Sequence, residues 1–234
     1  ANTLGFLGAY EGTGSVLSCV PIAQSGSGMQ RDHWISAARH LSQMELPEEV
    51  GRKAARRVVR RLGARKIRTC QAPVVFDPLT ARSLMGHLFE AVAGNSIYRR
   101  SSFLVDQIGQ PVAAPGVTIV DDGRLRAGLG SSPFDDEGVP TQTTEIVTKG
   151  ILQNYLHSSY TARKLHSRPT GNGSRAASGV VTIGPTNFYL KGGDHSPDEI
   201  IGSVKAGLYV IELIGFGVSA VTGDYSRGAV GIWI

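Results

Sequence analysis

The residues that could do chemistry in this chain fall in three places. His87 and Glu90 stand three apart, an i, i+3 pair that on a helix would point the same way and could offer a weak metal site. Asp135-Asp136-Glu137-Gly138 sets three carboxylates in a row, a pattern that could orient a water, bind a cation, or shape a turn through hydrogen bonds to backbone amides. Ser131, Ser132, His157 and His166 supply hydroxyls and imidazoles for a nucleophile and base, although their spacing fixes no mutual geometry. Two ligands do not make a zinc site, and both members of the His87/Glu90 pair lie on the polar side of an amphipathic segment. The spacing therefore favours a solvent-facing or interface pair over a metal centre. For the acidic run, a loop-shaping or interface role is favoured over catalysis.

Several elements must position these groups. Asp77 is an N-cap and Pro78 a first helical residue. Ala81, Leu84, Met85, Leu88, Phe89 and Val92 then form one apolar stripe, with Ser83, His87 and Glu90 opposite and Gly94 as the stop. A second helix over 47–62 starts at Pro47 and closes at Gly63. Val50, Ala54, Ala55, Val58, Val59 and Leu62 form its apolar face, and Arg52, Lys53, Arg56, Arg57, Arg60 and Arg61 its basic arc. That arc could contact phosphate or a partner. A solvated face is the favoured reading, because no aromatic interleaves the arginines.

The rest reads as short strands and turns. Gly5–Tyr10 and Ser15–Val20 are expected to form a hairpin, with Ser25–Gly28 a flexible loop. Pro73–Phe76 is a buried strand, and Val117–Val120 runs into an Asp121-Asp122-Gly123 turn. Glu145–Thr148 and Ile151–Leu156 flank a two-residue Lys149-Gly150 turn. Ser159–Leu165 is a short helix, Pro169–Arg175 a Gly-rich loop, and Asn187–Leu190 a strand. Ser196-Pro197-Asp198-Glu199 is a capping box opening a helix to Gly207, and Leu208–Ile234 reads as three short strands.

The totals narrow the class. The chain has 234 residues, 30 glycines and a net charge of +5. A chain of this length buries roughly 70–75% of its unfolded surface and needs no staples. Its two cysteines, Cys19 and Cys70, form no metal-binding spacing and suit a reducing compartment. No signal peptide and no apolar run of membrane-spanning length is present, so the expectation is a cytoplasmic protein without membrane association. The expected fold is α+β, mainly antiparallel sheet with a few amphipathic helices packed on it. The start at Ala1 and the finish inside an apolar strand suggest a fragment.

Residue strings spread over the whole chain resemble one family. Met29-Gln30-Arg31-Asp32, Arg61–Lys66, Pro73–Pro78, Tyr98–Leu104, Ser131–Gly138, Tyr160–Leu165 and Pro169–Asn172 together resemble the PmbA (TldE) branch of the TldD/PmbA family, in its order. The resemblance implies that 1–234 is the C-terminal β-rich domain of such a protein, lacking its N-terminal α/β region. Family members are described as modulators of DNA gyrase, as factors maturing a peptide antibiotic, and as degraders of an antitoxin. The biochemistry implied is a cytoplasmic zinc metallopeptidase of two related subunits.

In the TldD subunit the zinc motif is H-E-x-x-x-H on a helix, with a late Cys. An ungapped placement puts Gly86 and Ala91 at the His positions and His87 at the Glu, and Gly223–Gly228 holds no Cys. The resemblance thus implies a subunit without its own zinc, catalytic residues or cofactor, with zinc in a TldD-type partner. Its job would be to pair with that partner and help hold an unfolded peptide, for which Asp135–Gly138 is a substrate or interface candidate. Two other classes are a nucleic-acid- or gyrase-associated modulator, motivated by the basic helix although nucleic acid is disfavoured, and a homodimeric assembly module.

Overall fold

A computed structural model describes residues 1–176 and 179–234. The fold is α+β, as expected, with mostly antiparallel sheets. The chain divides into two compact units. One unit comprises residues 9–70 with 126–129, the other 1–8, 71–125 and 130–234.

The first unit contains strands β1 (Ser15–Cys19), β2 (Ile22–Ser25), β3 (Gly28–Arg31) and β4 (Trp34–Ala38) and helix α1 (Pro47–Val59). Strand β1 pairs antiparallel with β4, and β2 with β3. This corrects the expected hairpin: Gly5–Tyr10 is not a strand, and the supposed loop Ser25–Gly28 is the tight turn of β2–β3. The side-chain oxygen of Asn2 instead accepts the N–H groups of Leu4 and Phe6, folding that segment on itself.

Helix α1 buries Val50, Ala54 and Val58 as its periodicity requires, but also Arg57, while Val59 is 58% exposed. The reason is Asp32, between β3 and β4. It is buried, and its Oδ1 lies 3.3 Å from Arg57 Nε and its Oδ2 3.8 Å from Arg61. Trp34 stacks beneath Lys53 and Arg57, at 4.9 and 5.7 Å from its ring. A charged side chain enters an interior only when paired, and here two arginines share one carboxylate. The basic arc is thus not simply a solvated face.

The second unit holds β5 (Val74–Phe76), α2 (Pro78–Val92), α3 (Gly94–Tyr98), β6 (Ile119–Asp122), β7 (Thr143–Thr148), β8 (Ile151–Leu152), α4 (Ser159–Lys164), β9 (Gly173–Ser174), β10 (Thr182–Ile183), β11 (Phe188–Leu190), α5 (Pro197–Gly202), β12 (Leu208–Val218) and β13 (Tyr225–Trp233). One sheet runs β11-β6-β7-β8 and another β13-β12-β5, with β5 parallel to β12. Two long strands replace the three short ones expected at the end, because β12 absorbs its glycines as register shifts. Helix α5 closes at Gly202, short of Gly207. Asp122 and Asp121 belong to β6 and not to a turn. Lys149 and Gly150 both take positive φ, 50° and 83°, which is the geometry of a two-residue hairpin turn.

Asp77 caps α2, accepting the N–H of Leu79 at 3.1 Å and the Tyr209 hydroxyl at 2.9 Å. The helix packs against β12 and β11. It stops at Val92, and Gly94 begins α3 instead of ending α2. Val92, Ile97, Leu104, Ile119, Ile146, Leu152 and Leu156 form the core on which both helices rest. No helix among the described residues is long and apolar enough to cross a membrane.

Candidate functional site

A cleft of about 1040 Å³ opens beside β7. Strand β7 contributes Thr143, Thr144 and Glu145, the chain after β8 contributes Asn154, Tyr155 and His157, and the loop after α4 contributes His166, Ser167 and Arg168. Strand β8 is only two residues long and pairs with Val147 and Thr148. Gln153 N–H extends the ladder to the Ile146 carbonyl, and the Asn154 amide caps the Glu145 carbonyl at 2.8 Å. Beyond that, among the described residues, no strand pairs with Thr143 or Thr144 on this side. Thr144 Oγ1 is buried and makes no hydrogen bond there.

Tyr155 and His157 are both buried, their rings edge to face at 6.4 Å. The Tyr155 hydroxyl donates to the Leu104 carbonyl and accepts the Gln107 N–H. Burial raises the Tyr155 pKa and lowers that of His157, since each environment disfavours the charged form. His157 Nδ1 has no hydrogen-bond partner among the described residues.

Behind the cleft the Pro169–Asn172 string becomes a buried polar chain. The His157 N–H donates to Thr170 Oγ1 at 2.8 Å, and the Thr170 hydroxyl donates to Asn172 Oδ1 at 2.6 Å. Asn172 Nδ2 donates to Asp121 Oδ2 at 2.7 Å, and Asp121 also accepts the N–H and hydroxyl of Thr186, both at 2.9 Å. Burial pushes the Asp121 carboxyl up, against the pull of those donors. Gly171 takes φ +74°, and a Cβ there would sit 2.6 Å from the Pro140 carbonyl oxygen. The loop binds its own scaffold: the Thr170 N–H donates to the His157 carbonyl, and the Gly173 and Arg175 N–H groups donate to Asp135 and Asp136, so these amides are not offered to an anion. Sequence reasoning missed Thr144, Tyr155 and Asn172 as a group. The one available signal was the Thr170-Gly171-Asn172 string.

The acidic run lies against this same loop. Asp135 Oδ1 accepts the N–H groups of Glu137 and Val139 at 2.9 Å, and its Oδ2 that of Gly173 at 2.7 Å. Burial pushes its carboxyl up while these three donors oppose it. Asp136 accepts the Arg175 N–H and Glu137 the Ser159 N–H, both at 2.7 Å. Gly138 N–H closes the turn on the Asp135 carbonyl at 3.0 Å. All three carboxylates are thus engaged by backbone amides of the β9 region, α4 and the turn itself. The serine–histidine grouping does not assemble: Ser131 Oγ bonds the Leu125 carbonyl and the Asn187 amide, and Ser131 and Ser132 do not line the cleft with His157 and His166.

His87 and Glu90 are separated in environment. Glu90 is exposed, whereas His87 is half-buried with its ring 5.7 Å from Tyr225 and a buried, unpartnered Nδ1. Glu90 is the one glutamate of α2. Laying the motif's Glu on it places Phe89 and Gly94 at the His positions, instead of Gly86 and Ala91. Phe89 packs on Phe188 at 5.8 Å. At Gly94 a Cβ would meet His157 Nδ1 at 2.5 Å and the Leu156 carbonyl oxygen at 2.9 Å, so no larger side chain fits. Among the described residues no group of three or more His, Cys, Asp or Glu could hold a metal ion. The residues here do not fit a zinc centre in either placement.

Fold and sequence define a class. The family model described as the PmbA/TldA metallopeptidase C-terminal domain matches residues 69–234, and the one for the central domain matches residues 1–62. The chain belongs to the PmbA/TldD metallopeptidase family. It is 42% identical over 233 residues to Metalloprotease PmbA of Escherichia coli O157:H7, covering all of this chain and 50% of that protein. It is 36% identical over 142 residues to a Metalloprotease TldD homolog of Haemophilus influenzae, covering 60% of this chain and 29% of that one. Among solved structures, a candidate modulator of a DNA gyrase from Thermotoga maritima superposes with a TM-score of 0.85 at 31% identity, over 94% of this chain and 50% of that one. TldE from Thermococcus kodakarensis, at 22% identity and a TM-score of 0.80 over 94% of this chain and 54% of that one, shares the fold. The chain spans about half the length of the curated relatives it matches.

Proposed function

We propose that this chain is the C-terminal part of a PmbA/TldE-like subunit that works in the cytoplasm with a zinc-bearing TldD-type subunit, and that it holds peptide without cleaving it. The observation that carries this reading is the α2–α3 junction. With the motif laid on Glu90, its two His positions fall on Phe89, which is half-buried and packed against the core, and on Gly94, which has no room for a side chain. The neighbouring cleft supports peptide handling. Its β7 edge offers backbone groups to an extended segment, and such pairing tolerates many sequences.

A gyrase-associated modulator is the second reading, drawn from the description of the Thermotoga protein. The basic helix does not favour it, since Lys53, Arg57 and Arg61 engage Glu45 and Asp32.

The test is peptide hydrolysis and metal content. The purified chain alone is expected to carry near-zero zinc and to leave an unfolded peptide intact, while a full-length PmbA/TldE-like protein mixed with a TldD-type subunit cleaves it. One zinc per chain, together with cleavage by the chain alone, would overturn the reading.

A further inference from the structure

Two strings singled out in the sequence, Tyr98–Leu104 and Tyr160–Leu165, meet on the surface, each next in the chain to a residue that lines the cleft. Tyr98 and Tyr160 are 40% and 49% exposed, yet their rings lie edge to face at 6.0 Å. Lys164 Nζ stands 6.0 Å from the first ring and 5.7 Å from the second. Arg99 and Arg163 are exposed on the same two segments.

The charge around this pair of rings is one-sided. Residues 93–105 and 156–176 contain five arginines and one lysine and no Asp or Glu. The carboxylates that approach these segments are engaged: Asp106 by Arg100 at 2.9 Å, Glu137 by the Ser159 N–H, Asp136 by the Arg175 N–H, Asp135 by the Gly173 N–H and Asp121 by the Asn172 amide, while Glu145, across the cleft, accepts the Thr148 hydroxyl. Ile97 and Leu165, which line the cleft, adjoin Tyr98 and Lys164 in the chain, and Arg168 of the same segment lines it as well.

We propose that this surface, built from Tyr98, Arg99, Tyr160, Arg163 and Lys164, selects acidic segments of an extended peptide as they enter the cleft. Exposed aromatic rings provide flat apolar contact at low entropic cost, and the lysine and arginines attract carboxylates. An acidic, aromatic-containing peptide satisfies both features at once. Nucleic acid would use the charge, but the two rings pack edge to face against each other instead of standing apart as successive stacking platforms. The inference rests on the peptide-holding reading and adds substrate selectivity to it.

The experiment is fluorescence anisotropy with short labelled peptides that differ only in charge, one rich in Asp and Glu, one with Asn and Gln in their place, and one with Lys. A single-stranded DNA oligonucleotide serves as competitor class. The variants are Arg163→Glu/Lys164→Glu and Tyr160→Ala, and Arg52→Glu/Arg56→Glu on α1 makes the same change in net charge elsewhere. The acidic peptide is expected to bind best. The α4 double reversal should weaken it by about tenfold, the size expected of two partly exposed charges, while the α1 reversal leaves it unchanged. Tyr160→Ala should weaken the acidic and neutral peptides alike, and thermal melts confirm that all variants fold. Equal binding of all three peptides would overturn acidic selectivity and leave peptide holding intact. Binding of none would overturn both. Equal loss from both charge reversals, or DNA binding tighter than the acidic peptide, would show a generic or nucleic-acid surface and overturn the proposal.

Discussion

Asn172 Nδ2 donates to Asp121 Oδ2 at 2.7 Å, joining residues 51 positions apart, each almost wholly buried. This bond ties the loop after α4 to the centre of the β11-β6-β7-β8 sheet and carries Thr170 and the His157 backbone with it. A buried carboxylate that loses a donor keeps its desolvation cost. Asn172→Ala is therefore expected to lower stability by about 2–3 kcal/mol, read as a shift in urea midpoint at constant slope. Asn172→Asp would set two carboxylates side by side. Its destabilisation should be larger at neutral pH and partly relieved on acidification, when one of them takes a proton.

His157 gives the molecule a pH signature. Burial lowers its pKa from the ordinary value of 6.5. As pH falls through that value, the unfolded chain takes up the proton first and the folded chain resists. The unfolded state then binds more protons, so stability declines with falling pH until the folded value is passed. Stability measured by denaturant melts should thus drop on going below about pH 6.5. In His157→Gln that part of the slope should vanish. A slope unchanged by the substitution would mean that other groups set it.

In the unit containing α1, Arg57→Ala leaves Asp32 buried with the more distant Arg61, at 3.8 Å, and the His33 imidazole, at 3.7 Å, beside it. Removing one partner of a buried ion pair costs about 3 kcal/mol or more. Arg56→Ala, one position away on the exposed side, should stay within about 0.5 kcal/mol. Limited proteolysis within residues 9–70 is a direct readout, since the loss is expected to fall on that unit. Equal sensitivity of the two variants would deny Asp32 its structural role.

What the sequence made legible follows the range of the forces involved. The Asp77 cap, the Lys149-Gly150 turn, the Ser196 capping box and the buried stripe of α1 are decided by residues a few positions apart, and periodicity finds them. The partner of β1 is β4 across an intervening hairpin, and no local pattern distinguishes β4 from the Gly5–Tyr10 segment as its mate. Arg57 looked solvated because Asp32 and Trp34, which draw it inward, sit more than twenty residues earlier. The cleft was hidden for the same reason. Thr144 and His157 are ordinary residues until β8 stops after two positions and leaves a strand edge open beside them. Family resemblance reached further than periodicity: its ungapped placement on α2 sets Gly86 and Ala91 at the His positions, and a placement on Glu90 sets Phe89 and Gly94 there.

That second placement can be tested by grafting. Phe89→His/Gly94→His writes the H-E-x-x-x-H pattern around Glu90 in this chain. If the junction were a zinc site lacking only its ligands, the double variant would bind zinc and gain thermal stability from it. The packing argues otherwise. Phe89 leaves its contact with Phe188, and a side chain at Gly94 collides with His157 Nδ1 and with the Leu156 carbonyl oxygen, which accepts the Gly94 N–H at 2.7 Å. Gly94→Ala alone is expected to cost about 1–3 kcal/mol through overpacking, and the double variant more than that. Elemental analysis should find no bound zinc, and added zinc should not raise the melting temperature. A stable double variant holding one zinc would show that the α2–α3 junction keeps the shape of a metal site and that its ligands alone are missing.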